Sequence, residues 1–240
     1  MRFIQSFTWI IAAVFMLVSF ASCEKIKGKG EVITQNRSVG SFSSVSLSMS
    51  ADVHYEASET YTLSISGQEN VINEIVTTVE GNRLVIRLRN GIVLGKHEPV
   101  RVYVGAPSIS GFEISGSGNI YADSKVDPAT LSLTISGSGN INLSDLDVDK
   151  VTANISGSGN IGATTGTAAR QDLVISGSGT IDLRNVVCPM VYTTTSGSGD
   201  TYIHADSILD VTISGSGNVW YNGTPAVYTH ISGSGNVKKL

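Results

Sequence analysis

Apolar and polar residues alternate with a period of two through much of the chain. Val45, Leu47, Met49, Ala51, Val53 and Tyr55 alternate with Ser46, Ser48, Ser50, Asp52 and His54. That period puts the two sets on opposite faces of a strand, so the run predicts a half-buried strand. Tyr61, Leu63 and Ile65 repeat the pattern. Leu84, Ile86 and Leu88 do so among Arg83, Arg87 and Arg89, after a break at Gly81-Asn82. Val100, Val102 and Val104 make a fourth run, with Arg101 and Tyr103 outward. One segment departs from the rule. Within residues 69–80, Val71, Ile72, Ile75, Val76 and Val79 are spaced for one face of a helix. It is the one helix expected in the mature chain. Residues 32–105 therefore read as a β-rich N-terminal region, or cap, carrying one short helix.

From residue 106 the pattern becomes a repeat. Ile-Ser-Gly-Ser-Gly-Asn-Ile occupies 114–120, 135–141 and 155–161, and returns with one or two changes at 175–181, 195–201, 213–219 and 231–237. The leading glycines Gly116, Gly137, Gly157, Gly177, Gly197, Gly215 and Gly233 are 21, 20, 20, 20, 18 and 18 residues apart. A fixed period in this range means stacked supersecondary units. Each unit has an alternating strand leading in (Leu131, Leu133, Ile135), the string, a short strand leading out (Ile141-Asn142-Leu143) and a polar turn. Such a unit suits one rung of a right-handed parallel β-helix over residues 106–240, with about seven rungs. Strands stacked about 4.8 Å apart give roughly 29 Å over six intervals.

The string admits two local readings. Gly137 and Gly139 face inward, where the backbone passes too close to a neighbour for any side chain, or they take positive φ and form a tight corner. Either way, Ser136, Ser138 and Asn140 align with Ser156, Ser158 and Asn160, and the reading predicts Ser, Ser and Asn ladders that hydrogen-bond from rung to rung. Lys238 and Lys239, on the last rung, guard a terminal edge.

The first residues change the picture of location. Arg2, the apolar run over 10–20 and the sequence Phe20-Ala21-Ser22-Cys23 look like a signal peptide (1–22) ending in a lipobox, with acylation of Cys23 and a lysine-bearing tether over 23–31. Plain secretion and a membrane helix are the other readings, and the apolar run is short for a membrane helix. The formal net charge of −4 comes with no basic stripe, so no nucleic-acid partner is expected. With Cys23 acylated, Cys188 is left alone in Val187-Cys188-Pro189, an apolar setting for a small buried hydrophobe.

A lipobox, then Phe42-Ser43-Ser44-Val45 and Ser50-Ala51-Asp52-Val53, then serial Ser-Gly-Ser-Gly-Asn strings: together these resemble the head GIN domain family of auto-transporter adhesins, from about residue 40 to 237. The resemblance implies a β-helical fold and a secreted or lipid-anchored bacterial envelope protein, and it brings no catalytic motif. The residues themselves agree with a non-enzymatic reading. His54, His97, His204 and His230 have no zinc-type spacing. Asp145, Asp147 and Asp149 begin like a calcium loop, but Lys150 stands where that loop needs glycine and Ser156 where it needs glutamate. No cofactor or metal is expected. The candidate binding surface is the polar ladder, Ser136, Ser138, Asn140, Ser156, Ser158 and Asn160, together with the adjacent pair Trp220 and Tyr221. On a strand these two face opposite sides, so one should be exposed. The expected ligand is a glycan, or an envelope or host protein, and the expected location is the outer membrane. An envelope scaffold and a carbohydrate-active β-helix enzyme are the rival readings.

Overall fold

The structure, a computed structural model, describes residues 24–240. The segment expected to be a signal peptide and Cys23 lie outside the described residues. The β-helix expected from the repeat is present as a parallel β-solenoid of about six turns. Successive rungs stack one to one. Asn119, Asn140, Asn160, Thr180 and Asp200 are aligned partners. Inside, Ile114, Ile135, Ile155, Ile175, Thr195 and Ile213 form one buried file. Ile120, Ile141, Ile161, Ile181, Thr201 and Val219 form another. The long strands, such as Thr180–Gly197, run along more than one side of the rung.

The run from Val45 to Tyr55 is not one continuous strand. It is two, Ser44–Ser48 and Asp52–Ala57, separated by a corner. Leu47 pairs with Ile114, Asp52 with Asn119 and Val53 with Ile120. Leu47-Ser48-Met49-Ser50-Ala51-Asp52-Val53 is thus a divergent copy of the repeat string, with Met49 and Ala51 in the glycine places. The period-two reading kept the right burial, since all six apolar residues are buried. It missed the corner because a six-residue bend that returns the same parity looks like a strand in sequence. Arg83–Leu88 and Arg101–Ala106 stack in parallel beneath this copy as one more rung.

The helix expected over 69–80 is largely absent. Only Glu69–Ile72 is helical, and Ile75–Glu80 is a strand antiparallel to Arg83–Leu88. Val76, Thr77, Thr78 and Val79 are β-branched and lose χ1 freedom in a helix. Here they gain a full ladder on the solenoid's first rung. Thr62–Gln68 pairs antiparallel with Arg101–Ala106, and Val32–Asn36 with Thr62–Gln68. These antiparallel strands close the N-terminal end, and Val71, Ile72 and Ile75 plug it from within. The segment just after Cys23 is laid against the same end. Glu24–Ile26 pairs with Ile92–Leu94, and Asn70 bonds both Lys27 O and Lys29 N. At the other end Ala226–Gly233 is exposed along its whole length.

Candidate functional site

The corner strings explain the glycines. A Cβ on Gly139 would lie 2.0 Å from Gly118 O and 2.8 Å from Ile114 Cγ2. The second glycine of each string is therefore inward and pressed on the rung beneath. The first glycine of the later strings takes positive φ, as at Gly197 (129°). Close approach holds at both glycines, since a Cβ on Gly137 would lie 2.3 Å from Gly116 O, and positive φ is added at the first glycine of the later strings.

The asparagines form the expected ladder. Asn119 Nδ2 donates to Asp52 Oδ1, Asn140 Nδ2 to Asn119 Oδ1 and Asn160 Nδ2 to Asn140 Oδ1, each at 2.8 Å. Asn160 Oδ1 accepts from the Thr180 backbone N–H at 3.1 Å. The ladder restarts at Asp200 Oδ1, which accepts from Asn218 Nδ2 at 3.0 Å, and Asn218 Oδ1 accepts from Asn236 Nδ2 at 3.3 Å. The serine ladders do not form. Ser136, Ser138, Ser156 and Ser158 are exposed, and their backbone N–H groups make the rung-to-rung bonds instead, as from Ser138 N to Gly116 O at 2.9 Å. A serine hydroxyl is only two bonds from the backbone and too short to span a rung spacing, whereas a carboxamide reaches. Of the candidate surface, the four serines are therefore free at the corner, and Asn140 and Asn160 are engaged in the ladder.

Two residues beyond each asparagine, a file of outward positions runs the length of the same sheet. Pairing links Ser64, Tyr103, His54 and Tyr121 at the capped end. It continues through Asn142, Gly162, Asp182, Tyr202, Trp220 and Lys238. His54 is sandwiched between Tyr103 (5.5 Å, 23°) and Tyr121 (5.1 Å, 15°), and its Nδ1 meets Asp123 Oδ2 at 2.9 Å. Burial, with Asp52 and Asp123 nearby, raises the Tyr121 phenol, which stays protonated as a donor. Further along, Tyr202 and Trp220 stack at 6.3 Å and 7°. Arg184 covers the other Tyr202 face at 4.2 Å and Lys238 the other Trp220 face at 5.2 Å. Arg184 is itself held by Asp182, Nε to Oδ1 and Nη2 to Oδ2, both at 2.8 Å. Trp220 and Tyr221 are both half-buried. Trp220 lies in this outward file, and Tyr221 packs against the core.

Two hollows interrupt the file. A cleft of about 460 Å³ lies over Ser64, between Tyr61, Tyr103, Glu56 and Asn36. A depression of about 420 Å³ lies over Gly162, between Asn142, Thr180 and Asp182. Tyr103, His54 and Tyr121 were not in the sequence-derived surface. Two of them precede the repeat, and only rung pairing brings them into one file. Aligning the strings and reading two places past each asparagine would have found the rest. Asp147, from the acidic run, is engaged by Lys125 Nζ at 2.9 Å and Thr167 Oγ1 at 2.7 Å. Among the described residues no group of three or more His, Cys, Asp or Glu is placed to hold a metal. Burial pushes the Cys188 thiol up to about 11, and its Sγ donates to Met190 O at 3.2 Å.

This solenoid, with its lateral ladder and N-terminal cap, has known counterparts. A sequence model described as "Putative auto-transporter adhesin, head GIN domain" matches residues 41–225. The chain belongs to that family. Crystal structures share this fold. One, described as a putative adhesin from Bacteroides fragilis, is 22% identical, with a TM-score of 0.85 over 90% of this chain and 100% of its own. One from Parabacteroides distasonis, described as a putative lipid binding protein, is 26% identical, with a TM-score of 0.78 over the same shares. A putative adhesin from Parabacteroides merdae is 24% identical, with a TM-score of 0.73 over 90% of this chain and 99% of its own. A comparison with curated protein sequences gives no match.

Proposed function

We propose that this head GIN domain protein is a non-enzymatic adhesin of the bacterial envelope, held at the outer membrane by acylation of Cys23. The outward file is its recognition face. The observation that carries this reading is the file itself: aromatic stacks at two levels of an otherwise small and polar face. Partly exposed aromatic side chains supply large contact area at little conformational cost, which is why they anchor binding surfaces. The segment after Cys23 is fastened to the capped end, so an acyl anchor there leaves the sides of the solenoid clear of the bilayer.

The test compares the natural chain with Cys23→Ala on intact cells. The natural chain is expected in the membrane fraction and digested by an impermeant protease, and the variant is expected to be released as soluble protein. Full protection of the natural chain from the protease places it facing the periplasm and overturns the adhesin reading. A scaffold role is the second reading, favoured by the exposed strand Ala226–Gly233 on the final rung, which a second copy could cover. Sedimentation at rising concentration tests it, and a strict monomer excludes it.

A further inference from the structure

Gly162 is unlike the corner glycines. A Cβ there meets nothing nearer than Asp182 O at 3.8 Å, whereas at Gly139 and Gly159 it would meet backbone oxygen at 2.0 and 2.1 Å. Its φ is not among the positive values. Nothing in the fold requires glycine at this place, and its absent side chain opens the depression in the middle of the file. Leu143, Ile161 and Ala163 also line the depression, and the polar side chains around it are mostly neutral. The Asn142 carboxamide and the Thr164 and Thr180 hydroxyls make no side-chain hydrogen bond among the described residues, so neutral donors and acceptors are left free. The single carboxylate, Asp182, is closed by the Arg184 guanidinium. On the capped side, Tyr121, stacked on His54, is the rung partner of Asn142 at the rim of the hollow.

We propose that the Gly162 depression seats a neutral glycan chain lying along the solenoid axis, a specification that rests on the adhesin reading above. An anion would need an unpaired cation here, and a cation an unpaired carboxylate. A peptide adding as a strand would need an open sheet edge, and this strand is paired on both sides. An acyl chain would need apolar side chains facing the hollow, and Leu143 and Ile161 in its lining are buried in the core. A polyhydroxylated ring matches free amide and hydroxyl groups with its hydroxyls, and its C–H face matches the electron-rich face of Tyr121. The run from Tyr121 to Tyr202 spans four rung intervals, roughly 19 Å, the scale of a short oligosaccharide.

The experiment uses the full chain on an array of neutral oligosaccharides (β-glucans, mannans, xylans) beside sialylated and sulfated ones, together with adherence of protein-coated beads to host and bacterial surfaces. Gly162→Trp fills the hollow where there is room for it, so its melting curve should match the natural one. Neutral glycans are expected to bind, with affinity lowered at least tenfold by Gly162→Trp and about fivefold by Asn142→Ala. Should the tryptophan variant misfold, Asn142→Ala and Thr180→Ala decide alone. Neutral-glycan binding untouched by these variants, or binding only to charged glycans or to protein, overturns this site and leaves the adhesin reading standing. Beads that adhere to nothing, with an empty array, overturn both.

Discussion

At Gly139 a methyl group would sit 2.0 Å from the Gly118 carbonyl oxygen, and at Gly162 it would make only ordinary contact, with Asp182 O at 3.8 Å. The two glycines therefore predict opposite outcomes. Gly139→Ala forces two stacked backbones apart, and overpacking of this kind costs about 3 kcal/mol or more. Gly162→Ala leaves stability unchanged or raises it by less than about 1 kcal/mol, through the narrower unfolded ensemble. Thermal melts of the two variants check the pair. Equal destabilisation would mean that the outward file, not only the corner, is under steric constraint.

At the scale of elements, two kinds of file run along the solenoid, and their magnitudes differ. Each inward isoleucine removed from water is worth roughly 1.5–3 kcal/mol, and a neutral hydrogen bond about 0.5–1.5 kcal/mol. The apolar files hold the rungs together, and the asparagine ladder selects their register. Asn140 accepts from Asn160 and donates to Asn119, so Asn140→Ala breaks two links. Its expected cost is about 1–2 kcal/mol. Asn236→Ala, at the last rung, breaks one link at 3.3 Å and should cost well under 1 kcal/mol. Denaturant titrations measure both. A ladder that merely decorates the surface would show no difference between them.

Across the whole molecule, each rung contacts only its neighbours, so stability is a sum of local interfaces and fraying starts where an interface is missing. The N-terminal end is covered by antiparallel strands. The last rung is not covered: Ile231, which continues the buried isoleucine file, is 41% exposed. Hydrogen exchange should therefore be fastest in Ala226–Gly233 and slowest in the middle rungs, such as Thr180–Gly197. Equal protection along the axis would mean that something covers the final rung in solution.

Much of this was settled in the sequence. The period of the strings fixes rung length and stacking. The alternation fixes which side chains are inward, because parity survives even the corner at 49–51. The spacing of the asparagines already implied their ladder, since one carboxamide per rung in register must meet the next. Other features only the tertiary structure decided. Residues 69–80 have helical spacing, yet the unpaired edge of the first rung drew Ile75–Glu80 into the sheet, an edge that exists only once the solenoid is built. The segment 47–53 differs from the repeat at its glycine places, and its kinship shows only in its pairing with 114–120. His54, Tyr103 and Tyr121 lie far apart in sequence and become one aromatic stack through rung pairing alone. A periodic sequence specifies its own stacking because every rung repeats the same local bargain between parity and close approach. A lateral face is composed of one residue from each rung, and its chemistry emerges only when those rungs are laid side by side.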